Sequence, residues 1–353
     1  MSPGRILLLG GACLAVTLLY LFLRPVPAGA EEGPRPTPLP PPRAAATLAP
    51  EAPWPSELRG QGRRVLAPRE LLAMGTLTRD YTAVNIGALD GSYADGDPVN
   101  ALWFGHADED AGWRQVASGA SGSSVAMEGV QGQCAQLARV AAERRSHVRV
   151  ACEFAVPATI AARLRALNVS REFDFLKVDI DSADCPVVDA ILAEFRPRYV
   201  HMETNYEVPP PIVFALEYSP ALTRDWFWKS QTFKGFYGCS MARVAEIARA
   251  RGYVLVQAHN IDVDLVRADL AVPAFVPVGT RPATARTLWD RGVRPMCAGS
   301  GGHLGLPAGG SCSYLADAGS ADEGARRLWA HLFANVPAET LRQVPFRLYV
   351  DDS

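Results

Sequence analysis

The sequence predicts an α/β fold, a doubly wound sheet that is mostly parallel and ends in an antiparallel hairpin. Three observations carry this. Strand-like and helix-like runs alternate from residue 81 to 270. The run 172–184 is apolar almost throughout and ends in acids, as a buried parallel strand does when its carboxyl end delivers polar groups to a crevice. Two late strand-like runs are joined by only a few residues, too few for a crossover helix.

Taken in order, the predicted strands are 82–86, 124–127, 148–154, 173–180, 198–202, 253–258 and 263–266. Between them, Cys134, Leu137, Ala138 and Ala141 share one helical face, as do Ile160, Ala161, Leu164 and Leu167. Pro186 suits the first turn of the next helix, whose apolar face is Val187, Val188, Ile191, Leu192 and Phe195. A fourth helix opens at Ser240, a good cap, presents Met241, Val244, Ala245 and Ala248, and closes at Gly252. The connection 259–262 makes the last two strands a hairpin at the sheet edge.

The 353 residues carry a formal net charge of −2, so no strong field argues for a nucleic acid partner. Residues 6–23 contain no charge and would span about 27 Å as a helix, just enough to cross a bilayer. They read as a membrane anchor or a long signal peptide; Ala28-Gly29-Ala30 resembles a cleavage site. A Pro-rich stretch follows and suits an extended stem. The expected organisation is a cytoplasmic tail and anchor at 1–24, a stem at 25–60, a catalytic-type domain at 61–270 and a C-terminal extension at 271–353. Anchor plus stem is the layout of many Golgi enzymes, and of surface receptors too, with the body lumenal or, after cleavage, secreted.

Cys13 lies in the apolar run, leaving Cys134, Cys152, Cys185, Cys239, Cys297 and Cys312. An oxidising compartment permits disulfides among six cysteines, with fifteen complete pairings. Cys297 and Cys312, flanking a Gly-rich stretch, are the best single candidate pair; for the other four, disulfides and buried free thiols weigh equally. Asn168-Val169-Ser170 is an acceptor triplet for a lumenal glycan.

Asn85-Ile86-Gly87-Ala88-Leu89-Asp90-Gly91 follows the first strand, where glycines let the backbone turn tightly and approach a ligand. It is neither a GxGxxG fingerprint nor a phosphate loop. Glu128 ends the second strand, where an acid can accept both ribose hydroxyls of a nucleoside; an insertion within 92–122 must be absorbed, and a solvated turn acid is the alternative reading. Asp179, Asp181 and Asp184 close the fourth strand, and Glu203 and Asn205 the fifth. Asp179, Asp181, Glu203 and Asn205 offer oxygen ligands to a divalent metal, or else serve as caps and ion-pair partners. His201 and His259 are candidate bases; each reads more simply as a structural histidine. Trp226, Phe227, Trp228, Phe233, Phe236 and Tyr237, after three consecutive prolines, suit a sugar-stacking lid or ordinary packing, packing being favoured.

The stretch FDFLKVDIDSADCPVVDAIL resembles that of FkbM-type methyltransferases, in which a strand reading like DLLKID runs into an acidic turn and a helix. NIGALDG, VAMEG, RYVHMETN and the hairpin GYVLVQAHNIDVDLVRADL fall in the order that family needs, over roughly residues 81–270. The resemblance implies a Rossmann-like class I methyltransferase sheet and S-adenosylmethionine as cofactor, held by Asn85, Gly87, Asp90, Gly91 and Glu128. It implies methyl transfer to a hydroxyl of a glycan or small acceptor, with Asp179, Asp181 and His201 as the catalytic candidates. The family's usual Glu-Gly pair in the acidic turn is Ala183-Asp184 here. Two other readings stay open: a metal-dependent Golgi glycosyltransferase using Asp179-Ile180-Asp181, and a non-catalytic methyltransferase-fold binding protein.

Overall fold

The computed structural model describes residues 82–91, 99–100, 124–143, 147–222, 236–259, 261–270, 283–294 and 336–350, with parts of a helix between 327 and 333. The chain divides into two units, Met1–Leu48 and Ala49–Ser353, and every described residue belongs to the second. The run 6–23, the Pro-rich stretch, most of the insertion 92–122 and the aromatics Trp226, Phe227, Trp228 and Phe233 lie outside the described residues, as do Cys13, Cys297 and Cys312. No helix among the described residues is long and apolar enough to cross a membrane.

The strands in chain order are β1 (Ala83–Ile86), β2 (Val125–Met127), β3 (Arg149–Ala151), β4 (Glu172–Val178), β5 (Arg196–Glu203), β6 (Ile212–Leu216), β7 (Tyr253–His259), β8 (Asp262–Arg267) and β9 (Phe346–Val350). Among the described residues a 7-stranded sheet forms in the order β3-β2-β1-β4-β5-β8-β7. Strands β1 to β5 run parallel, and β8 lies antiparallel between β5 and β7. This is the predicted doubly wound sheet with its terminal hairpin. The order reverses between β1 and β4, which opens a crevice at their carboxyl ends.

Both faces are covered, which explains why β4 is buried at every position but Glu172. On one face Val84, Ile86, Leu176, Val178, Val200 and Met202 pack with helices α2 (Pro157–Ala166), α3 (Asp184–Glu194) and α4 (Met241–Arg251). On the other, Ala83, Phe175, Tyr199 and Val266 pack with Leu137 and Ala141 of α1 (Gln131–Glu143). Ser240 caps α4 by accepting from the Arg243 amide, and Gly252 ends it in the left-handed region at φ 77°.

The C-terminal region adds a second layer that periodicity alone did not reveal. Strand β9 pairs antiparallel with β6, and Val208, Phe214, Leu216, Phe236, Leu332 and Val344 form a separate apolar cluster beneath them. Phe236 meets the rings of Phe214, Phe333 and Phe346 at 6.0, 5.5 and 5.6 Å, so this aromatic is a packing residue.

Two disulfides correct the even weighting between free thiols and bridges for the four cysteines described. Cys134 in α1 bonds Cys152 just after β3, and Cys185 in the first turn of α3 bonds Cys239 just before the α4 cap. The second closes a loop of sequence separation 54. Chain-entropy reasoning gives it about 4 kcal/mol. The double variant Cys185→Ser with Cys239→Ser is therefore expected to lose about 2–4 kcal/mol of unfolding free energy in urea; an unchanged midpoint and slope would show that this bridge does not constrain the chain.

Candidate active site

The site begins with a backbone contact at the carboxyl ends of β1 and β4. Gly87 has φ +82°, and a Cβ built on it would lie 1.7 Å from the carbonyl oxygen of Asp179. Only glycine fits there, and the loop is thereby pressed against the acidic turn. The buried Lys177 locks the contact, donating through Nζ to the Gly87 carbonyl at 2.9 Å and pairing with Asp179 Oδ2 at 3.1 Å.

The rest of the loop is held from the β2 side. Glu128, itself buried, accepts from the Leu89 amide at 2.9 Å and from the Val130 amide at 2.7 Å, one on each carboxylate oxygen. Asn85 donates to Asn100 Oδ1 and Asn100 donates to the Ala88 carbonyl, so the residue at 100 braces the turn from beyond the described gap. Gly91 adopts φ 79° and its amide donates to the Ala88 carbonyl, while Asp90 is half-buried beside it.

Across the crevice, Asp184 organises the acidic turn. Its carboxylate accepts from the amides of Ile180 at 2.8 Å and Ser182 at 3.0 Å. Burial pushes this carboxyl up to about 6, against those amides and with help from Asp179. The turn holds Asp181 in the left-handed region at φ 54°, and oxygens of Asp179, Asp181 and Glu203 come within 4.8 Å of one another. Burial first, and then these neighbouring acids, push the Glu203 carboxyl well above the usual carboxylate range. Burial likewise, with Glu203 adding to it, pushes up the Tyr237 phenol, which stays a neutral hydrogen-bond donor.

Asn205 and His201, both candidates in the sequence, are engaged elsewhere. The Asn205 amide nitrogen donates to the Tyr237 carbonyl at 2.9 Å, and its Oδ1 accepts from the Glu207 amide at 3.0 Å. It braces the segment carrying Tyr237. His201 sits 2.7 Å from Asp264 Oδ1 through Nδ1 and 3.8 Å from Asp262 through Nε2. Burial opposes a charged ring, but Asp262 and Asp264 outweigh it and raise the imidazole to about 9. An imidazolium at neutral pH has no lone pair for a proton, so the geometry does not suit a general base. The His259 side chain lies outside the described residues.

Lys177, Asp262 and Asp264 were not singled out by sequence, and Tyr237 only as one of a run of aromatics. The signal for three of them was present as alternation: Lys177 and Asp179, His201 and Glu203, and Asp262 and Asp264 each stand two apart and so face the same side of a strand. Register then aligns them, Lys177 with His201, His201 with Asp264 and Glu203 with Asp262. The upper end of one sheet face is thus polar where its lower end is apolar.

No protein-family model matches the chain, and no curated protein does. Solved structures similar to it include the fibrillarin pre-rRNA processing protein of Methanococcus jannaschii, at 15% identity over 59% of this chain and 71% of that one, with a TM-score of 0.33. An S-adenosylmethionine-dependent methyltransferase from Clostridium acetobutylicum aligns at 9% identity over 60% and 94%, TM-score 0.32. The O-methyltransferase NcsB1 of neocarzinostatin biosynthesis aligns at 11% over 55% and 52%, TM-score 0.29. Those likenesses are weak, and it is the strand order itself that defines the fold. The sheet is of the Rossmann-like class I methyltransferase type.

Two measurements check this geometry. Gly87→Ala is expected to lower stability by about 2–4 kcal/mol, because a Cβ there meets backbone that no side-chain rotation can clear; a neutral change in urea denaturation would remove the contact from the account. The His201 imidazole is expected to titrate near 9 by NMR. A pKa raised on folding gives stability that is full below the unfolded value of about 6.5 and is lost as pH rises through the folded value. Titration near 6.5 instead would return His201 to the list of bases.

Proposed function

We propose that the chain is an S-adenosylmethionine-dependent methyltransferase that methylates a hydroxyl of a glycan or small acceptor in the secretory pathway. The observation that carries this reading is the junction, at the switch point of a methyltransferase-type sheet, of a glycine loop with a group of carboxylates. When bound, the cofactor supplies an activated methyl on a sulfonium.

The chain's own part is to hold the cofactor, align the acceptor oxygen and receive its proton. Asn85, Gly87, Asp90 and Gly91 frame the loop on the cofactor side. Glu128 spends one lone pair of each oxygen on a backbone amide, which leaves the others for ribose hydroxyls. Asp179, Asp181 and Glu203 form the acceptor side, where a carboxylate takes up the acceptor's proton; the same oxygens would hold a divalent metal, which would supply Lewis-acid stabilisation of the acceptor oxygen. Burial and Glu203 keep the Tyr237 phenol protonated, and so a hydrogen-bond donor.

Placement in the secretory pathway draws on independent features. Two disulfides suit an oxidising compartment, and the apolar run 6–23 with its Pro-rich successor suits an anchor and stem. Asn168 is exposed in a turn after α2 at φ 51°, accessible to glycosylation.

The reading is tested by incubating the full-length chain with methyl-labelled S-adenosylmethionine and a panel of glycans and small alcohols. Label is expected in an ether of one acceptor class, and Asp181→Asn is expected to reduce turnover at least about 100-fold, because Asn keeps the backbone conformation and removes the charge. Transfer to nitrogen or to no acceptor, or full activity in the variant, would contradict the assignment. Chain produced in a secreting cell is expected to shift in mass on glycosidase treatment, and Asn168→Gln to abolish the shift; an unmodified Asn168 would argue against lumenal placement.

A further inference from the structure

Glu203 poses a problem of charge. It is 6% exposed, and its Oε2 is buried with no hydrogen-bond partner among the described residues. Its carboxylate belongs to the group in which oxygens of Asp179 and Asp181 lie within 4.8 Å. A fourth acid, Asp262, is its register partner on β8. Among the described residues, Lys177 pairs with Asp179 at 3.1 Å and the His201 ring is directed at Asp264 at 2.7 Å, and neither hydrogen-bonds the Glu203 Oε2. A buried carboxyl beside two further carboxylates is relieved by a proton or by a bound cation, and the convergence of three oxygen donors suits the cation.

We propose that Asp179, Asp181 and Glu203 bind one divalent cation of the hard, oxygen-preferring class. The donor set is all oxygen, which suits magnesium, manganese or calcium and disfavours zinc or copper, whose sites draw on imidazole and thiolate. The four cysteines described are consumed in disulfides. Oxygens within 4.8 Å of one another match the span across calcium, about 4.8 Å, and would close slightly to meet the span across magnesium, about 4.2 Å. Three carboxylates leave coordination positions open, and an acceptor hydroxyl can enter one of them.

Cation binding rests on these residues alone and does not require the methyl-transfer reading. The test is titration of the full-length chain with manganese, followed by electron paramagnetic resonance, with S-adenosylmethionine binding measured on the same sample. One manganese per chain is expected, displaced by magnesium or calcium, and Glu203→Gln and Asp181→Asn are each expected to weaken it at least about tenfold, the lower bound even for outer-shell losses. Should Glu203→Gln fail to fold, Asp181→Asn decides, because Asn tolerates a left-handed backbone. Absence of binding to the folded chain with manganese, magnesium or calcium, or binding unchanged in Asp181→Asn, overturns the proposal. A chain that binds S-adenosylmethionine but no cation loses this inference and keeps the proposed function.

Discussion

The approach of Gly87 to the Asp179 carbonyl is the constraint on which the rest of the candidate site depends. A loop leaving β1 and a turn leaving β4 share one small space, and the missing side chain at residue 87 is what allows it. Lys177 converts the contact into a fixed joint by holding a carbonyl of one and a carboxylate of the other. Everything that has to be near the switch point follows. Leu89 and its neighbours are presented to Glu128 on one side, and Asp179 and Asp181 to Glu203 on the other.

Charge is distributed along the sheet in a way that the fold makes possible. Strand register puts Lys177, His201 and Asp264 in one row and Glu203 with Asp262 in the next toward the carboxyl edge. The inner row is internally paired: His201 faces Asp264, which also accepts from Gln257 at 2.6 Å. The outer row is predominantly acidic. Inner pairing stabilises buried polar groups within the structure, whereas the outer excess of negative charge is relieved by a proton or by a bound cation. The Cys185–Cys239 bridge and the Asn205 hydrogen bonds hold the two turns that flank this outer row, so its carboxylates are fixed in place before any ligand arrives.

Much of the fold was legible in the sequence because buried parallel strands and amphipathic helices impose strong local patterns. Residues 173–178 could hardly be anything but a central strand, and the short link before Asp262 required a hairpin. Strand ends were less accurate, since β4 stops at Val178 where the turn built by Asp184 takes over. The pairing of β6 with β9 was not legible, because it joins segments more than a hundred residues apart and has no local signal. Disulfide connectivity was equally non-local. Within the site, single residues such as Asp179 and Glu203 were visible as acids at strand ends, but their convergence was a matter of register. The sequence could not show that Asn205 would turn toward Tyr237 or that His201 would be held charged by Asp262 and Asp264.

The measurement that tests the central claim most directly is calorimetric titration of the folded full-length chain with S-adenosylmethionine, S-adenosylhomocysteine and, separately, a series of nucleotide sugars with manganese. The account predicts one site per chain for each adenosyl ligand and no nucleotide-sugar binding. Binding of a nucleotide sugar with silence toward both adenosyl ligands would contradict it in favour of glycosyl transfer, and silence toward all of them would contradict it in favour of a binding protein without this chemistry.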